Sequence, residues 1–189
     1  QILTSLPQAI NVMLDPADCG PAVISMSQDV QGEAYDYPEI FFEEKIHEIR
    51  RIHPDPNQIQ KAADKLKQSK QPIIISGGGV LYSEAEEEIS AFAKKHNIPV
   101  TATVMGIGCM NKDDPYYISA IGCLGEGSSN NLATDTDLAL AVGTKLGDFT
   151  TGSWTNFENE NFQLVSINTS RFDTTKHRAT PVVSDAKIG

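Results

Sequence analysis

The chain predicts an α/β fold built on a doubly wound parallel sheet. Three observations carry that prediction. Ile73, Ile74 and Ile75 run consecutively, as in a strand buried on both faces of a parallel sheet. The glycine turn Gly77-Gly78-Gly79 follows at once and leads into a helical pattern. From Asp55 onward, short apolar runs alternate with amphipathic ones, which is the order of a parallel sheet and not of a sandwich or a bundle.

Composition bounds what the chain can do. Its 189 residues suffice for one domain of ordinary size plus an extra piece. With 40% hydrophobic and 21% charged residues it can bury a core. A net charge of −10 and the lack of a basic stripe exclude a nucleic-acid or membrane-surface binder. Cys19, Cys109 and Cys123 form no CxxC pair, so they are read as reduced thiols of a cytoplasmic protein. No run reaches the roughly 18 apolar residues of a membrane span, and no signal peptide is visible. The chain opens on Gln1, and the expectation is a piece of a longer protein.

Taken in order, Ile2, Leu6, Ile10, Met13 and Leu14 form a helical stripe that Pro7 should kink or start. Asp15–Pro21 is a turn, and Ala22–Met26 is expected to be a short strand. The acidic stretch from Asp29 to Pro38 reads as a linker, and Pro38–Ile52 as a short connector helix. Asp55-Pro56-Asn57-Gln58 starts a helix, with Asp at the N-cap and Pro at the first helical position. Ile59, Ala62, Ala63 and Leu66 line its inner face. After the Ile73–Ser76 strand, Ser83 and Glu86 suggest a capping box for a helix running from Glu84 to about Asn97. Strands are expected at Pro99–Val104, Asp137–Val142, Gln163–Asn168 and Pro181–Ser184. A helix should start at Ser128 under serine caps. Thr150–Asn161, with Trp154 and Phe157, reads as an ordered surface loop.

Glycines mark the C-terminal strand ends, the edge where open α/β sheets bind ligands. The candidate nucleotide-facing positions are Gly77, Gly78, Gly79, Gly106, Gly143 and Lys145. The dinucleotide fingerprint fails, because Tyr82 stands where its third glycine belongs. No GxxxxGK[ST] loop is present. Gly147-Asp148 with Asn168 downstream lacks the closing glycine of a Mg²⁺-diphosphate motif, since Phe149 follows, and no metal site is expected. His47, His53, His96 and His177 have no carboxylate at ligand or relay spacing. No GxSxG elbow occurs, and no catalytic residue is assigned.

Several of these stretches together resemble the middle domain of thiamin-diphosphate enzymes, a family that includes acetolactate synthase, pyruvate oxidase and the decarboxylases. They are Pro72–Val80, Ile98-Pro99-Val100, Gly106 and Gly108, Asp113-Asp114-Pro115, Gly122, Asp137–Gly143 with Thr144-Lys145, and Ser184-Asp185-Ala186-Lys187. Gly20–Ile24 and Gln28-Asp29-Val30 resemble the end of the preceding pyrimidine-binding domain. The run Gln28–Asp36, with Asp148-Phe149, is similar to the trihydroxycyclohexanedione hydrolases, the ring-opening branch in myo-inositol catabolism. The resemblance covers essentially the whole chain.

The resemblance implies about six parallel strands between helices, like the NAD/FAD-binding domain of deoxyhypusine synthase. It implies that residues 1–32 are the tail of the pyrimidine-binding domain, 33–54 a linker and 55–189 the middle domain. It implies a parent that binds thiamin diphosphate and Mg²⁺ outside this chain and cleaves a ring C–C bond, this fragment alone being inactive. Its partners would be the other domains of the same chain and further copies in a dimer or tetramer. Lys145 and Phe149 stand where relatives that hold FAD or ADP carry arginines, so FAD is not expected. The rival expectations are the middle domain of an acetolactate synthase-like lyase, a free-standing nucleotide-binding module and a purely structural dimerisation domain.

Overall fold

A computed structural model describes residues 1–189 and divides them into two units, Gln1–Arg50 and Arg51–Gly189. The first holds helix α1 (Ile2–Leu14), the single turn α2 (Gln28–Gln31) and a 3₁₀ turn at Glu39–Phe41. α1 continues through Pro7. The Asp15 carboxylate accepts the Ala17 and Asp18 N–H groups and pairs with Arg50 at 2.7 Å. The Arg50 hydrogen bond, chiefly, holds its pKa below the usual carboxylate range. Tyr37 stacks on Phe41 at 5.4 Å and meets Tyr35 edge-on at 4.9 Å. No residue in this unit is buried.

Two expectations fail here. Ala22–Met26 is not a strand, and Val23 is 90% exposed. A strand needs a neighbour to satisfy its backbone groups, and residues 1–50 hold none. The Pro38–Ile52 helix shrinks to its 3₁₀ turn, and Ile46 is 91% exposed. A short helix is stable only when its apolar face packs, and Ile40, Ile46 and Ile49 are left exposed.

The second unit is a six-stranded parallel sheet: β1 (Pro72–Ser76), β2 (Val100–Ala102), β3 (Tyr117–Ala120), β4 (Leu138–Val142), β5 (Gln163–Asn168) and β6 (Thr180–Val183). The strand order is β3-β2-β1-β4-β5-β6, with every pairing parallel. Alternate residues of β1 enter different cores: Ile74 packs on one face, Ile73 and Ile75 on the other. The first core takes helices α3 (Pro56–Gln68) and α5 (Glu86–His96) through Ile59, Leu66, Ile89 and Ala93. The second takes α6 (Gly127–Asp135) through Ala133, with Trp154, Phe157 and Phe162. Covering both faces is what allows the uninterrupted Ile run of β1. Pro181 lies in β6, an edge strand, where a missing N–H costs least.

Local chemistry fixes the helix ends. Asp55 accepts the Asn57 and Gln58 N–H groups at the start of α3, as its sequence predicts. Asn97 closes α5 in the left-handed conformation, φ 55°. The predicted capping box does not form. The glycine turn starts its own short helix, α4 (Gly78–Tyr82), and Ser83 ends it, donating its hydroxyl to the Gly79 and Val80 carbonyls. Ala85 then leads α5 without a side-chain cap. The predicted serine cap of α6 is also absent: Glu126 occupies that position, and Ser129 is buried inside the helix with its hydroxyl unpartnered. At the N-terminal edge of the sheet the Asp137 carboxylate accepts the Ser69 hydroxyl and the Lys70 and Gln71 N–H groups.

Candidate functional site

Strand order reverses between β1 and β4, so the connections from these two strands leave in opposite directions. That divergence opens a cleft outside their C-terminal ends, the standard ligand position in such sheets. The cleft has a volume of about 510 Å³. Its wall comes from the segments after four strands: Gly78, Gly79 and Tyr82 after β1, Met105 after β2, Leu124 after β3, and Gly143 to Lys145 with Phe149 after β4.

The predicted glycines divide into two groups. Gly78, Gly79, Gly143 and Lys145 line the cleft; Gly77 and Gly106 do not. Gly79 and Gly143 touch backbone to backbone across the switch point. The Gly79 N–H donates to the Gly143 carbonyl at 2.9 Å, and a Cβ on Gly79 would lie 2.6 Å from the Gly143 Cα. Gly143 itself has φ +62°, which favours glycine. A Cβ on Gly77 would sit 2.3 Å from the Gly143 carbonyl oxygen, and one on Gly106 2.2 Å from the Ser76 carbonyl oxygen. These contacts give a packing reason for glycine at positions 77, 79, 106 and 143, whereas a Cβ on Gly78 would lie 3.2 Å from the Met105 carbonyl oxygen.

Lys145 is the one charged residue of the lining, and it is exposed. Tyr82, Met105, Leu124 and Phe149 supply apolar wall that glycine patterns did not reveal. Tyr82 was the one visible signal, since it displaces the third glycine of the fingerprint. The cleft offers no carboxylate and no imidazole; its titratable side chains are Tyr82 and Lys145. No set of three or more His, Cys, Asp or Glu side chains converges on one point anywhere in the structure. The cleft lining, with no carboxylate for a Mg²⁺ ion and Lys145 as its one charge, does not fit a thiamin diphosphate–Mg²⁺ centre.

Other titratable groups are structural. A groove beside α5 contains Asp114, which Lys94 meets at 2.8 Å and whose pKa that hydrogen bond lowers. Burial raises the Cys109 thiol pKa, which leaves it unreactive at neutral pH. His177 lies 4.0 Å from Trp154 by ring centroids, and partial burial, then the charge of Lys176, lowers its pKa. The Trp154 loop is thus pinned to the segment before β6 and not a free clamp. No helix is long and apolar enough to cross a membrane.

With this geometry in hand, similarity to known proteins becomes informative. A family model described as thiamine pyrophosphate enzyme, central domain, matches residues 59–188. The chain is 41% identical over 189 residues to a 3D-(3,5/4)-trihydroxycyclohexane-1,2-dione hydrolase of Clostridium tetani (strain Massachusetts / E88), covering 100% of this chain and 29% of that protein. It is 40% identical over 187 residues to a protein of Bacillus cereus (strain ZK / E33L) named 3D-(3,5/4)-trihydroxycyclohexane-1,2-dione hydrolase 1, covering 99% and 29%. Among solved structures, the benzoylformate decarboxylase of Polynucleobacter necessarius superposes with a TM-score of 0.57 at 24% identity, over 80% of this chain and 30% of that one, a likeness of fold. The chain thus spans about 29% of the length of the curated relatives it matches.

Proposed function

The chain belongs to the thiamine pyrophosphate enzyme central-domain family, and on that premise we propose that it is the scaffold domain of a thiamin-diphosphate-dependent 3D-(3,5/4)-trihydroxycyclohexane-1,2-dione hydrolase. The parent enzyme cleaves a ring C–C bond of the diketone with water and releases 5-deoxyglucuronate in inositol catabolism. One observation carries this reading: identity of 40–41% extends over essentially the whole chain, including residues 1–58 that precede the family match. Those residues contain the Gln28–Asp36 run on which the narrower resemblance rests.

In this reading residues 1–32 finish a pyrimidine-binding domain, 33–54 link, and 55–189 form the middle domain of a cytoplasmic oligomer. Thiamin diphosphate and Mg²⁺ belong to the other domains, and the isolated chain is inactive. Gly77, Gly78, Gly79, Gly106, Gly143 and Lys145 are a vestigial nucleotide edge. The glycines remain because the chain packs through them, whereas a diphosphate would find one lysine and no bidentate arginine.

The deciding experiment assays the full-length enzyme on the cyclohexanedione and on pyruvate. Ring opening with little pyruvate turnover is expected; the reverse preference installs the acetolactate synthase-like reading. Calorimetry of the 189-residue chain with ADP and FAD should show no binding in the micromolar range, about −8 kcal/mol.

A further inference from the structure

Every large apolar side chain that residues 51–189 leave exposed lies in a segment that follows the C-terminal end of a strand. Tyr82, Met105, Leu124, Phe149 and Phe172 follow β1, β2, β3, β4 and β5 in turn, and Tyr82 is 81% and Phe172 74% exposed. Because the sheet is all parallel, these segments share one edge. The opposite edge carries none. Singly scattered apolar residues are ordinary on a surface, but a set confined to one edge marks an interaction surface.

Charge sharpens the contrast. On a chain of net charge −10, the cleft within this edge is lined by one charged residue, Lys145. Depletion of charge with enrichment in Tyr, Phe and Met is the composition of an interface core. A diphosphate would find one cation in the cleft, Lys145, and no arginine to hold it bidentately.

We propose that this edge docks against another folded domain of the same polypeptide, with Leu124 and Phe149 at the centre of the contact. The inference rests on the reading of the chain as one domain of a longer enzyme. Two facts favour that occupant over a second copy. The relatives are more than three times as long as the segment they share with this chain, which covers 29% of them. A tethered domain is present at roughly millimolar effective concentration, whereas a second copy has to be recruited from solution.

Cys123 provides the reporter. It is exposed, adjoins Leu124 and donates its N–H to the Phe149 carbonyl at 2.8 Å, while Cys109 is buried. With Cys19 removed by Cys19→Ser, maleimide labelling in the 189-residue chain reads this edge alone. Labelling of Cys123, located by peptide mapping, should be at least about tenfold slower in the full-length polypeptide than in the 189-residue chain. Leu124→Asp should leave the melting temperature of the short chain nearly unchanged, lower that of the full-length protein, and restore Cys123 labelling there. Equal labelling rates in the two proteins overturn the proposal. So does protection in the short chain that grows with its concentration, which assigns the edge to a second copy, or protection by ADP, which assigns it to a nucleotide. A full-length enzyme that prefers pyruvate yet protects Cys123 removes the substrate assignment and leaves this docking intact.

Discussion

Gly79 and Gly143 separate a ligand role from a packing role at the level of single atoms. If they served only to admit a phosphate, Gly143→Ala would spare stability. The structure predicts the opposite, because the new Cβ meets Gly79 Cα at 2.6 Å on a backbone at φ +62°. A loss of about 3 kcal/mol or more in urea unfolding is expected. Ser129 predicts a gain. Its buried hydroxyl has no partner, so Ser129→Ala should stabilise by about 1 kcal/mol, read as a higher melting temperature. Asp137 predicts a pH dependence. Burial raises its pKa, but the Ser69 hydroxyl and two backbone N–H groups outweigh that and leave it lowered. Its stabilisation is therefore full above about pH 4 and fades as pH falls through the lowered value. Asp137→Ala should cost about 1–2 kcal/mol at pH 7, and thermal melts of variant and parent should converge toward pH 2.

Among the elements, helix α3 shows what sequence makes legible. Asp55, Pro56 and Gln58 specify its start through local chemistry alone, and the Asp55 carboxylate takes the two N–H groups expected of it. Asp55→Ala should cost about 1 kcal/mol, measured by denaturant midpoint at constant slope. Strands β1, β4 and β5 were equally legible, since Ile73–Ile75 and Leu138–Val142 are apolar runs, and Leu164–Ile167 is one broken only by Ser166, as two-sided burial requires. β3 was not, because it is only the four residues Tyr117–Ala120, half-buried at an edge, with no long apolar run to mark it. Ser83 failed for a different reason. Its capping pattern was genuine, but α4 had already claimed the residue as a C-terminal stop. The glycines of the cleft were visible in sequence; its apolar wall was not, since Leu124 and Phe149 come to line one cleft only once β3 and β4 have taken their places.

At the scale of the whole molecule, the two units differ in what sustains them. Arg51–Gly189 has two cores, one on each face of its sheet, whereas Gln1–Arg50 buries no residue. Limited proteolysis of the 189-residue chain should therefore cut first within residues 1–50 and leave a resistant product that starts near Arg51; a resistant N-terminal product would contradict this. The β1–β4 pairing adds a constraint on synthesis. As the chain leaves the ribosome, β1 can pair with β2 early, but its other edge waits for Leu138–Val142 to emerge. Until then Ile73, Ile74 and Ile75 present bare, apolar hydrogen-bonding edge, the template on which nascent chains coalesce. Translation that stalls before Leu138 should yield insoluble product, and a trigger-factor-like holdase should be needed most in that interval.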